Sequence, residues 1–218
     1  MITKNSLTKA LFFSLMVSIA ACGPKKDGET AATEGTESES GVDMSSFKEA
    51  KGTTNDYSMM LPDYLTPASN LNDDASLQYQ NIYKETYIVV IDESKEEFIS
   101  TFKELGTYDS TQSALKNYRQ SQINFFKETA LSMKPGSEPK AVKINGLDAE
   151  MMDFEAKVEG VESDIYYNVA FIEGKEKMYW VMAWTMPTSK DKYKPDFEAA
   201  MKTFKEIGGG SSGAKASR

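Results

Sequence analysis

Between residues 56 and 207 the apolar positions recur with two periods, near two and near 3.6, and each change of period marks a new element. Tyr57 to Leu61 reads as a strand closed by Pro62, and Leu77 to Tyr83 and Thr86 to Ile91 as two more, joined by a hairpin around Lys84-Glu85. The period then becomes helical. Ser94 with Glu97 three residues later forms a capping box, Phe98, Ile99, Phe102 and Leu105 share one face, and Gly106 supplies the stop. A longer helix is predicted from Thr111 to Ser132, with Leu115, Tyr118, Gln122, Phe125, Phe126 and Met133 at helical spacing before Pro135-Gly136.

Period two then returns. Ala141 to Ile144 is a short strand, and Asn145-Gly146 is a strong hairpin signal. Leu147 to Val158 continues as a strand whose inward set shifts phase from Leu147, Ala149 and Met151 to Met152, Phe154 and Ala156, which predicts a bulge near Met151. Glu159-Gly160 turns into Asp164 to Glu173, and Gly174-Lys175 into Lys177 to Met186, so three long strands form an antiparallel meander. A closing helix, Tyr193 to Ile207, carries Phe197, Ala200, Met201 and Phe204 on one face before Gly208. In the last strand Trp180, Met182 and Trp184 alternate with Val181 and Ala183, so both of its faces are apolar and the sheet is expected to be covered on both sides. The predicted class is α+β: one domain, residues 56–207, with helices packed on an antiparallel sheet.

The opening YSMMLPDYL, the meander ending in MYWVMAW and the closing DFEAAMKTFKEI resemble the PsbP-like family. The resemblance implies an α/β/α sandwich around an antiparallel sheet, with Phe204 near the last turn of the closing helix. That family includes extrinsic subunits of photosystem II, a factor that binds a small GTPase and many bacterial lipoproteins. It implies a binding or accessory module and supplies no catalytic motif.

The flanks read differently. Met1 to Ala21 has Lys4 and Lys9 at its start, an apolar run from Ala10 to Ile19 and the small pair Ala20-Ala21, the layout of a cleavable signal peptide. The run is about half of the ~20 residues that span a bilayer. Ile19-Ala20-Ala21-Cys22 resembles the lipobox of bacterial lipoproteins, which implies cleavage between Ala21 and Cys22 and lipidation of the Cys22 thiol. Two or three acyl chains hold a protein firmly where a single chain does not. Gly23, where an aspartate would retain the protein in the inner membrane, favours by the same resemblance the outer membrane, and Lys26, Asp27 and Glu29 faintly resemble a surface-export tag of Bacteroidota. Residues 22–55, rich in Gly, Ser, Thr and Glu, are expected to be a lipidated flexible tether reaching ~30 Å, and residues 208–218 a flexible tail.

Composition narrows the chemistry. The chain carries 25 basic and 33 acidic side chains, net −8, which becomes −10 once Lys4 and Lys9 leave with the signal. That balance disfavours nucleic acid, whose phosphates need Lys and Arg. With no histidine and Cys22 as the single cysteine, internal disulfides, a metal centre, a cofactor and the usual nucleophile–base pairs are all unexpected. Asp148, Glu150, Asp153 and Glu155 on one strand read as solvated surface acids, since no calcium loop frames them. Met178, Trp180, Met182, Trp184 and Met186 read as core, and Arg119, mid-helix, as the partner of a nearby acid. If a pocket exists, Trp184 at the strand end is its expected wall, with Tyr166 and Asn168 sharing the rim. The expectation is therefore a non-catalytic, lipid-anchored binding module of the bacterial cell envelope, with a membrane contact through its lipid and an envelope protein as partner. The alternative is a small-ligand carrier with an aromatic-lined pocket.

Overall fold

The computed structural model describes residues 42–207. The signal peptide, Cys22, the first part of the tether and the tail from 208 to 218 lie outside the described residues. Regular structure is present before Asp56. A 3-10 turn, Met44–Ser46, capped by Asp43, leads into β1 (Phe47–Lys51), which pairs antiparallel with β2 (Tyr57–Pro62) and buries Phe47 and Ala50. Two apolar residues three apart in a polar stretch are too sparse to stand out as a strand by themselves.

Beyond β2 come the two-residue β3 (Thr66–Pro67), β4 (Ala75–Asn81) and β5 (Thr86–Ser94). The predicted β4 ended at Tyr83, but Asn81 Oδ1 accepts from the Lys84 backbone N–H at 2.9 Å and Glu85 adopts φ +50°, so Ile82 and Tyr83 leave the strand and sit on the turn. α1 (Lys95–Glu104) starts where the capping box placed it, with Ser94 Oγ accepting from the Glu97 N–H at 3.2 Å. α2 (Ala114–Thr129) stops short of the predicted Ser132. The Leu131 N–H donates instead to the Lys157 carbonyl, and β6 (Ser132–Met133) pairs with β8, so sheet pairing takes the residues that helical spacing would have continued through.

β7 (Lys140–Ile144) and β8 (Leu147–Lys157) form the hairpin that Asn145-Gly146 announced, with φ +47° and +87° at the turn. β9 (Ile165–Glu173) and β10 (Lys177–Thr185) complete the meander. α3 (Lys190–Lys202) is followed by β11 (Lys205–Glu206), where the predicted helix ran on to Ile207; these residues pair with Ser58 and Tyr57 of β2.

The larger sheet is antiparallel, in the order β3-β4-β5-β10-β9-β8-β6, with β7 also paired to β8; the smaller has the order β1-β2-β11. The larger sheet is covered on both faces. Val89, Phe171, Met178, Trp180 and Met182 pack under α1 and α2, against Phe98, Leu115, Tyr118 and Phe126. Val90, Ala170, Ile172, Tyr179 and Val181 pack under α3 and the small sheet, against Tyr57, Met59, Phe197, Met201 and Phe204. The class is α+β, and one covering layer mixes a helix with a small sheet.

The predicted bulge near Met151 is absent. β8 pairs with β9 in continuous register through Met151↔Ala170 and Met152↔Val169, and with β7 from Leu147 to Met151. The apparent phase shift arises because the two ends of β8 bury opposite faces: Ala149 and Met151 belong to the α3 side, Phe154 and Ala156 to the α2 side. The register does shift elsewhere, between Ala75 and Leu77 in β4.

Candidate functional site

Trp184, Tyr166 and Asn168 are not brought together. Alternation along β9 and β10 sends Trp184 to the α1–α2 face, where it stacks on Tyr87 at 5.2 Å and lies 6.3 Å from Tyr167. Tyr166 and Asn168 project from the opposite face, so the predicted common rim does not form. Trp184 is 8% exposed and lines packed core.

Tyr166 and Asn168 instead meet a polar row beneath α3. Asp153 faces Asn168 across β8 and β9, and Thr185 faces Tyr166 across β10 and β9. The Tyr166 hydroxyl donates to Asp153 Oδ2 at 2.9 Å, and Lys194 Nζ from α3 reaches the same oxygen at 2.5 Å. Lys190 Nζ lies 4.8 Å above the Tyr166 ring. Ser137 ties the row to the segment before β7, accepting from the Asp153 N–H and donating its own N–H to the Asp153 carbonyl. Gly136 fits there because a Cβ would lie 2.3 Å from the Asp153 carbonyl oxygen.

Burial pushes the Asp153 carboxyl up, but Lys194, Tyr166 and Ser137 outweigh it and hold the group below the usual carboxylate range. Tyr166 is raised by its own burial and by the charge of Asp153. Thr86, Asn168 and Thr185 are almost fully buried on or beside this row, and Thr86 Oγ1, Asn168 Oδ1 and Thr185 Oγ1 meet no partner among the described residues. The row is an internal hydrogen-bonded brace between sheet and helix.

The four strand acids thus divide. Asp148 pairs with Lys143 in solvent, and Glu155 pairs with Lys134. Glu150 takes the Arg119 guanidinium, the acid partner expected for that arginine. Asp153, at 8% exposure, is no surface acid. It sits two residues beyond Met151 on an unbroken strand and therefore on the same inward face; the assumed bulge hid that signal.

A second feature lies at the far end of β5 and β10. An open cleft of about 760 Å³ lies between the start of α1 and the β9–β10 turn, with Ser94, Ile99, Lys103, Lys175 and Lys177 among its walls. Lys95 and Lys177 at this cleft are already paired, with Glu173 at 2.5 Å and with Asp56 and Asp92 at 2.5 and 2.6 Å. Beside it, burial pushes the Glu93 carboxyl up to about 7, and the nearby Glu97 charge adds to the rise. The Tyr118 hydroxyl lies close enough to favour the charged form, yet it meets no partner at hydrogen-bond geometry. Gln122 Nε2 donates to Glu93 Oε1 at 3.1 Å. Glu93 drew no attention in the sequence, because a carboxylate near a strand end looks solvated until α2 is laid over it.

Among the described residues no cluster of acids suits a metal ion, and no helix is long and apolar enough to cross a membrane. No protein-family profile matches the chain, and no curated protein matches it in sequence. Solved structures similar to it include PsbP (CyanoP) from the cyanobacterium Synechocystis sp. PCC 6803, at 13% identity and a TM-score of 0.49, covering 74% of this chain and 93% of that one. The protein of unknown function PA94 from Pseudomonas aeruginosa is similar at 16% identity and a TM-score of 0.42, over 72% of this chain and 94% of the other. A protein of Bacteroides thetaiotaomicron VPI-5482 is similar at 9% identity and a TM-score of 0.45; 74% of this chain matches about half, 49%, of that one.

Proposed function

We propose that this chain is a lipoprotein of the bacterial cell envelope, anchored through Cys22, whose folded domain acts as a non-catalytic binding module for another envelope protein. The carrying observation is the run Ile19-Ala20-Ala21-Cys22 at the end of a short apolar stretch, with the chain's one cysteine at the acceptor position. Gly23 favours the outer membrane. Within the domain, Asp153, Tyr166 and Lys194 are engaged with one another in the brace under α3. The small-ligand carrier draws on one observation, the cleft of about 760 Å³, which lies within the size range of ligand pockets. Its walls are lysine, glutamate and serine with the single isoleucine Ile99, while the aromatics around Trp184 are packed against one another.

The test is metabolic labelling with a clickable fatty acid in cells making the wild type or Cys22→Ala, followed by membrane fractionation. Label on the wild type, lost in the variant, with the protein in the outer-membrane fraction, is the expected result. An unlabelled wild type would overturn the anchor and leave a plain secreted protein.

A further inference from the structure

The β4–β5 turn presents Ile82, 49% exposed, and Tyr83, 87% exposed, at the end of the domain opposite the cleft. The described chain begins at that same end. Ser46, four residues after Val42, accepts a hydrogen bond from the Asp63 N–H at 2.7 Å; the neighbouring Tyr64 carbonyl accepts from Asn81 Nδ2 at 2.7 Å; and Lys84 Nζ lies 4.1 Å above the Tyr64 ring. On the next aromatic, Tyr193, 5.9 Å from Tyr64, Lys192 Nζ lies 4.9 Å from the ring centre. An aliphatic and a tyrosine at a hairpin tip, flanked by lysines whose ammonium groups lie over aromatic rings, match the side-chain types that settle at the boundary between lipid headgroups and acyl chains.

We propose that the Ile82–Tyr83 tip is a second membrane contact, seated in the headgroup layer of the bilayer that holds the Cys22 lipid. This rests on the anchor reading above. Residues 23–41 separate Cys22 from the first described residue, nineteen in all, and a chain of that length extends at most ~65 Å. The anchor and the tip can therefore meet one surface without the chain crossing the domain. Glu85 beside the tip, and Asp63 and Asp191 next in sequence to Tyr64 and Lys192, offset the positive charge, so the contact is carried by the apolar side chains and takes a zwitterionic surface in preference to an anionic one.

The decisive experiment bypasses cellular lipidation. The mature chain from Cys22, unlipidated, is coupled through its single thiol either to a maleimide-headed lipid in phosphatidylcholine vesicles or to a soluble maleimide, and amide hydrogen exchange is compared. The expected result is slower exchange of amides 82–85 on vesicles only, lost in Ile82→Ser/Tyr83→Ser. Partial burial of these two side chains also predicts about tenfold weaker partition of the uncoupled variant onto the same vesicles. Both side chains are exposed, so an unchanged melting temperature certifies the variant; the wild-type comparison stands even without it. Equal exchange on vesicles and in solution, or protection that survives the double substitution, would overturn the proposal. So would a tip protected in solution by a second copy of the chain or by another protein. None of these outcomes depends on fatty-acid labelling of Cys22, which alone decides the anchor.

Discussion

Asp153 shows what one buried carboxylate does in this fold. It accepts from Tyr166 and Lys194 and is held below the usual carboxylate range, so its contribution to stability is present above the unfolded pKa, near 3.8, and is lost as pH falls through the lower folded value. Lys194 is still 35% exposed, which discounts the strength of the pair. Asp153→Ala strands a buried tyrosine hydroxyl and a half-buried ammonium and is expected to cost about 2 kcal/mol in urea denaturation. Glu93 works with the opposite sign. Its folded pKa is raised from 4.5 to about 7, so the folded state holds more protons than the unfolded state between those values. Stability should therefore fall as pH rises from 4.5 through 7, and Glu93→Gln should flatten that part of the profile, read by denaturation at pH 5 and pH 8. A slope unchanged in the variant would assign the dependence to another group. Neither residue was legible in the sequence as a site, for the same reason: burial of a strand acid depends on which layer lies over its face.

The elements were legible wherever local chemistry decides. The Ser94 cap, the Asn145-Gly146 turn and the two-faced apolar pattern of β10 lie where the sequence put them, because each depends on neighbours within a few residues. Elements set by distant pairing were not. β1, β6 and β11 are short and polar, and α2 and the closing helix are cut back where sheet partners claim the chain. β1 carries the clearest test. A chain beginning at Asp56, the boundary that composition suggests, loses five cross-strand pairs and the burial of Phe47. Burying one phenylalanine is worth about 2 kcal/mol, so that chain is expected to unfold at lower denaturant than one beginning at Val42. Equal midpoints would make β1 a passive addition.

At the scale of the molecule, the cleft and the Ile82–Tyr83 tip lie at opposite ends of the strands. β5 runs from the Ile82–Tyr83 tip to the cleft beside Ser94, nine residues or ~30 Å. If the tip rests on the membrane, the cleft faces away from it and is open to a partner. Lysine acetylation of the vesicle-coupled chain is then expected to slow at Lys84 and to proceed at Lys175 as in solution, read by mass spectrometry; slowing at Lys175 would mean another orientation. The sequence by itself determined the antiparallel α+β class, the order of the long elements and the cover on both faces of the sheet, because periodicity and turn chemistry are local. The tertiary structure alone decided that Trp184 and Tyr166 face opposite layers, that Asp153 is buried and braced by Lys194, and that the tip and the start of the described chain share one end. Those outcomes depend on register and layer order, which are set by contacts between residues far apart in the chain.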